Sequence, residues 1–201
     1  MDSYRTINKP VGPILFKERK SKFYGYVFPV TDEEQVKEHV ELLKKEYPTA
    51  NHVCYAWQMG VEERAYRAND DGEPNNSAGM PIYGQLQSFD VTNVLVAVVR
   101  IFGGTKLGVG GLISAYKETA KLALEEAKII KKILQQKVSV LFEYSEMDTV
   151  MRLVKKHQLN ITSQELHLKC KIEISVPKSD LKKILPLLSA HHKLEIKQEE
   201  Y

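Results

Sequence analysis

Asn93-Val94-Leu95-Val96-Ala97-Val98-Val99-Arg100-Ile101-Phe102-Gly103-Gly104-Thr105-Lys106-Leu107-Gly108-Val109-Gly110-Gly111-Leu112 carries the chain through three kinds of backbone in quick succession. Asn93 to Val99 shows no polar alternation, which predicts a strand covered on both faces at the middle of a sheet. The glycines that follow predict a shaped loop, since glycine is used where φ is positive or another group approaches the backbone closely. From Leu112 the apolar residues Ala115, Tyr116, Ala120, Ala123, Ala127 and Ile130 keep helical spacing, so a long helix is predicted to start at Gly110-Gly111. A buried strand that feeds a helix through a tight loop is a sheet layer with a helix packed on it.

Upstream, Ile14 to Phe16 and Phe23 to Phe28 flank the basic run Lys17 to Lys22 and predict a hairpin. Thr31 and Glu34 have capping-box spacing, and Val36, Val40, Leu43 and Tyr47 mark an amphipathic helix that Pro48 ends. Val53 to Met59 and Arg64 to Arg67 are predicted strands. They lead into a second glycine-containing stretch, Asp70-Asp71-Gly72-Glu73-Pro74-Asn75-Asn76-Ser77-Ala78-Gly79-Met80-Pro81, with a short helix beginning near Ser77 to Pro81. The two loops together hold most of the eleven glycines, so function is sought there first.

The pattern restarts near residue 137. Val138 to Phe142 reads as a strand, Ser145 as the cap of a helix with Asp148 at the box position, and Asn160 to Leu166 as a strand. Leu168, Cys170, Ile172, Ile174 and Val176 alternate with polar residues, as in a strand with one wet face. Leu181, Ile184, Leu185 and Leu188 mark a helix that Pro186 is expected to kink or end early. Leu194 to Ile196 is a last strand. The order is βαββαβ, a ferredoxin-like arrangement, and the expected division is 1–136 and 137–201, within an α+β class.

With 201 residues and 43% hydrophobic content the chain can bury a core, and a net charge of +3, split as about +1 and +2 between the two parts, makes neither a basic nucleic-acid glove. No apolar run suits a membrane span and Asp2, Ser3 and Arg5 do not form a signal peptide, so a cytoplasmic protein without membrane contact is expected. Cys54 and Cys170 are too few for a disulfide framework or a four-cysteine zinc site, and they read as core residues.

The segments Arg67 to Pro74, Ser77-Ala78-Gly79-Met80-Pro81, Arg100-Ile101-Phe102-Gly103-Gly104 and Leu107-Gly108-Val109-Gly110-Gly111-Leu112 resemble the signatures of the YigZ/IMPACT family. Two positions depart from its pattern: Ile101 stands where an aromatic residue is common, and Ser114 where an arginine is common. The resemblance implies a first domain with the fold of ribosomal protein S5 domain 2, similar to domain IV of elongation factor G, and a second domain similar to domain V of that factor. It also implies a translation-linked binding protein whose partner is the ribosome, RNA or a translation factor, and it brings no settled reaction or cofactor.

Weighed on their own chemistry, the loops offer an anion cradle. The N–H groups of Gly110, Gly111 and Leu112 at a helix start, with Gly103, Gly104 and Gly108 shaping the loop and Lys106 and Lys117 adding charge, suit a phosphate. The spacing matches neither the phosphate-loop nor the dinucleotide motif. The alternative is packing, with glycines letting the helix lie close to the sheet. Asp70, Asp71 and Glu73 either reach Mg²⁺, pair with Arg67 and Arg100, form a polar rim that orders the loop, or make a plain polar turn, and Ser77 in the same stretch is a candidate ligand-binding residue. His52 and Cys54 share a strand face, as a nucleophile pair or as a buried cysteine beside a hydrogen-bonded histidine. His191-His192, adjacent on a helix, do not share a face for a metal. The reading is a binding protein, with no cofactor, metal or catalytic residue assigned. The rivals are an enzyme acting on a phosphorylated small molecule in the same cleft and a protein-interaction adaptor using apolar residues near Phe102 and Met80.

Overall fold

The computed structural model describes residues 3–198, which fall into two compact units, one spanning Tyr4–Lys132 and the other made of Ser3 and the residues from Ile133 on, so that the outer ends of β1 and β7 fall at the division. The first contains β1 (Ser3–Ile7), β2 (Val11–Glu18), β3 (Ser21–Pro29), α1 (Glu33–Glu46), β4 (His52–Met59), β5 (Ala65–Asn69), α2 (Gly79–Ser88), β6 (Val94–Ile101), α3 (Gly108–Glu126) and β7 (Ile129–Ile133). Five of these strands form an antiparallel sheet in the order β2-β3-β6-β4-β5. The run without polar alternation is therefore the central strand, and every residue from Val94 to Arg100 is buried.

Side-chain alternation sends successive residues of each strand to opposite faces. Phe23, Val27, Cys54, Ala56, Val96 and Val98 meet α2 and α3, whereas Tyr26, Phe28, Val53, Trp57, Leu95, Ala97 and Val99 meet α1. Gly25 of β3 explains how α3 lies so near the sheet: a Cβ there would sit 3.0 Å from the Thr119 side chain and 3.1 Å from Ala123 Cβ. Packing of a helix against a glycine thus occurs at a strand residue outside the two glycine-rich loops.

Several local expectations shift. The cap of α1 is Asp32, whose Oδ1 accepts the Gln35 N–H at 2.9 Å, while Gln35 Oε1 accepts the Thr31 N–H, so the reciprocal pair lies one residue later than Thr31 and Glu34. Helix α3 begins at Gly108 and ends at Glu126; Ile130 belongs to β7, which pairs with β1. A β-branched pair, Ile129-Ile130, suits a strand as well as it suits the end of a helical period.

The second unit holds β8 (Gln135–Glu143), α4 (Met147–Lys156), β9 (Asn160–Glu165), β10 (Lys169–Pro177), α5 (Leu181–Ser189) and β11 (Glu195–Gln198). Its antiparallel sheet runs β11-β8-β10-β9. The alternating Cys170, Ile172, Ile174 and Val176 join Val138, Val140 and Phe142 under Val150, Ile184 and Leu188 in one core. Ser145 lies inside a 3-10 turn ahead of α4 and caps nothing. Pro186 sits within α5, which runs on to Ser189. Gln135 and Gln136, expected at the division, are already paired with Pro177 and Val176 in β8. Among the described residues no helix is long and apolar enough to cross a membrane.

Candidate functional site: a buried guanidinium beside an uncapped helix

The end of β6, the start of β4 and the beginning of α3 meet the loop that follows β5. At their meeting point lies Glu73, with a side chain only 4% exposed. Its Oε1 accepts from Arg100 Nη1 at 2.6 Å and from the Tyr116 hydroxyl at 2.7 Å. His52 Nε2 is 3.9 Å from Oε2. Because His52 Nδ1 lies 2.8 Å from the Asp71 carbonyl oxygen, which can only accept, Nδ1 carries the proton and Nε2 faces the carboxylate. Cys54 Sγ lies 3.0 Å from the Asp70 carbonyl oxygen and 3.3 Å from the Tyr116 oxygen, so its single proton serves one of the two. Burial pushes both the Cys54 thiol and the Tyr116 phenol far above their ordinary ranges. Neither is a nucleophile near neutral pH.

The acidic loop residues are occupied by the protein itself. Asp70 Oδ1 accepts the N–H groups of Ala78 and Gly79 at the start of α2, at 3.0 and 2.8 Å, and Oδ2 accepts from Asn76. This is capping from outside the helix, and it satisfies donors that Ala78, lacking a polar side chain, leaves open. Asp71 Oδ2 accepts from the Val53 N–H at 2.7 Å, and its Oδ1 takes Lys44 Nζ at 3.0 Å. Ser77 is fully buried and donates to the Pro74 carbonyl. Among the described residues no three His, Cys, Asp or Glu side chains converge as a metal site would require.

Arg100 is different. Its side chain is 8% exposed, and its Cζ stands 5.7 Å from the centroid of the Phe23 ring and 5.5 Å from that of Phe102. Among the described residues only its Nη1 meets a protein acceptor, and Nε is buried without a hydrogen-bond partner. An orphaned donor on a buried charge carries a desolvation penalty of about 1–3 kcal/mol or more. Arg100 lines a pocket of about 460 Å³ together with His52, Glu73, Phe102, Lys106 and the first turn of α3. That helix has Leu107 at its N-cap, no side-chain cap and no acidic residue in its first turn, so its leading N–H groups are free of side-chain acceptors.

The glycines here fall into two groups. A Cβ on Gly103 would lie 2.0 Å from the Lys20 carbonyl carbon, and one on Gly79 would lie 2.6 Å from Asn69 N, so both allow close backbone approach. Gly104, Gly108 and Gly110 have open space where a Cβ would stand. Gly104 and Gly108 need positive φ, at +87° and +71°, but Gly110 needs neither room nor a left-handed backbone. Gly111 would touch only the Leu107 side chain, at 3.1 Å, and does not pack on the sheet.

Two of the residues expected at the site are elsewhere. Arg67 pairs across from Trp57, on the face that carries α1, and its guanidinium is 3.5 Å from Glu33, so strand alternation turns it away from Arg100. Lys117 lines a separate groove with Arg5 and Lys121. His52 and Tyr116, by contrast, are integral to the pocket and its floor. Sequence spacing brought His52 close, but nothing local links Tyr116 to Glu73 across 43 residues of chain.

The fold and site define an α+β protein of two units whose first unit presents a small pocket in which His52, Glu73, Arg100 and Lys106 stand among apolar side chains. The Impact N-terminal domain model matches residues 19–124. The chain is 29% identical to the IMPACT family member YvyE of Bacillus subtilis over 167 residues, 83% of this chain and 76% of that one. It is 32% identical to the IMPACT family member YigZ of Escherichia coli over 149 residues, 72% and 73% of the two chains. A crystal structure described as a hypothetical protein matches 100% of this chain and 98% of its own, with a TM-score of 0.73 and 25% identity. The chain belongs to the IMPACT family.

Proposed function

We propose that this chain is a translation-linked regulatory protein that contacts the ribosome, RNA or a translation factor through the end of the first unit where the two glycine-rich loops meet. The carrying observation is Arg100, a buried cation with an unpartnered Nε that lines a pocket next to the uncapped N-terminus of α3. Membership of the IMPACT family supports the link to translation. The antiparallel order β11-β8-β10-β9 with its βαββαβ connections supports a ferredoxin-like second lobe similar to domain V of elongation factor G. The helix-covered sheet of the first unit is in keeping with ribosomal protein S5 domain 2. Fold likeness to such modules suits a ribosome ligand, while the site supplies the chemistry.

The test is co-sedimentation of the purified protein with ribosomes and with ribosomal RNA over a series of salt concentrations. Binding is expected to weaken as salt rises, because phosphate contacts release counterions. Lys106→Glu at the pocket mouth should weaken it, and Lys183→Glu on the solvent face of α5 should not. Absence of co-sedimentation at low salt, or binding indifferent to both salt and Lys106, refutes the reading.

A further inference from the structure

The pocket is too poor in cations to follow a polynucleotide backbone. Its lining contains one lysine and one arginine, and Glu73 neutralises part of the arginine. A single strand is held by a track of basic residues with stacking aromatics along it, and no such track lines this cavity. The pocket has instead what one tetrahedral anion needs. Lys106 stands on one side, the first turn of α3 turns free N–H groups and the positive end of a helix dipole to the same space, and Arg100 lines it with a guanidinium that uses one of its five N–H groups.

Glycine usage at the same place agrees. Gly110, in the first turn of a 19-residue helix, meets no steric or conformational need among the described residues, whereas Gly108, two residues earlier, also faces open space but takes a positive φ. Glycine in a helix is less favourable than alanine by up to about 1 kcal/mol. On either side of the exposed Val109, Gly108 and Gly110 leave the first turn open for an anion to reach backbone donors.

Resting on the reading that this pocket is the contact site, we propose that it binds one terminal phosphate, a phosphomonoester dianion, rather than an internal phosphodiester. Arg100, through Nη2 rather than its covered Nε, donates to one phosphate oxygen, a second accepts from the N–H groups of Val109 and Gly110, and Lys106 closes the mouth on the third. A monoester brings nearly two negative charges near neutral pH where a diester brings one. It also has three unsubstituted oxygens, enough for the guanidinium, the helix and Lys106 at once. A small nucleotide and the phosphorylated end of an RNA present the same group.

Amide and arginine Nε–H resonances of the full chain are followed by ¹⁵N NMR during titration with inorganic phosphate, adenosine 5′-monophosphate, and one short RNA prepared with and without its 5′ phosphate. The expected result is shifts centred on residues 104–112 and on Arg100 Nε–H, with the phosphorylated RNA or the mononucleotide binding about tenfold or more tightly than the unphosphorylated RNA. Preference between those two identifies the source. Val109→Asp places a carboxylate in the first turn, where it suits the dipole and leaves the fold intact; its spectrum should be native outside the site and its phosphate shifts lost. Gly110→Ala, a second variant that adds only a methyl, should keep the fold and weaken the shifts. Equal binding of the two RNAs overturns the terminal-phosphate inference while leaving an RNA contact standing. Phosphate-specific shifts in a protein that never sediments with ribosomes or ribosomal RNA overturn the proposed function and leave the inference intact. No shift at residues 104–112 with any probe overturns the inference outright.

Discussion

Replacing Glu73 with alanine removes the one acceptor that serves both Arg100 and Tyr116. Arg100 is left as a buried cation without a partner, and the Tyr116 hydroxyl, on a residue with no exposed surface, loses its acceptor. Breaking one side of a buried pair costs about 3–5 kcal/mol. A first unit of ordinary stability, roughly 5–15 kcal/mol, would be visibly weakened and, at the lower end of that range, brought close to unfolding. Trp57 is the chain's single tryptophan and is buried in this unit, so its fluorescence in urea reports on this unit alone. The midpoint should fall by an amount equivalent to about 3–5 kcal/mol with an unchanged m-value. Glu73→Gln keeps the volume and loses the charge, and should cost about half as much, in keeping with the strength of charge-assisted bonds. Tyr116→Phe alone should cost about 1.5–3 kcal/mol, and the double variant should fall short of additivity by about 0.5–3 kcal/mol. A midpoint shift below about 1 kcal/mol for Glu73→Ala, or strict additivity with Tyr116→Phe, would show that the carboxylate does not hold these elements together.

Gly103→Ala places a methyl against the Lys20 backbone, which cannot rotate away, and should lower the same urea midpoint by about 1–3 kcal/mol or more; no change would contradict the close approach of the loop to the β2–β3 turn. Cys54 and Cys170 are both buried, so a thiol reagent at pH 8 should find none in the native protein and two after denaturation. Since burial raises the Cys54 thiol above its ordinary value of 9.0, the unfolded chain loses that proton first. Its contribution to stability is therefore present below pH 9 and declines as the pH climbs beyond it, a slope that Cys54→Ala should reduce in alkaline urea titrations.

The central strand was legible because a run such as Val94 to Val99 admits no wet face, and the alternation from Cys170 to Val176 was legible because it admits only one. Boundaries were harder. Asp32 and Thr31 are both good caps, and only the position of the first turn decides between them. Ile130 satisfies a helical period that Ala127, in extended conformation, has already broken. At the site, the glycine-rich loops and Arg100 were visible as motifs. The sorting of those glycines into packed and bare positions depends on which backbone passes behind them: Lys20 lies behind Gly103, and nothing lies behind Gly110. Arg67 looked equivalent to Arg100 because both end strands next to the loops, but register puts them on opposite faces of the sheet.

The segment between β5 and α2 has the composition of a mobile surface turn, yet each of its three carboxylates is committed in a different direction. Asp71 reaches β4 and α1, Asp70 holds the start of α2, and Glu73 reaches β6 and α3. This turn works as a hub with three spokes. Its amides should therefore share the opening equilibrium of the sheet rather than that of the surface. Whatever docks at the pocket meets a floor already rigid, and a strain applied at Glu73 is felt along both the central strand and the long helix behind it.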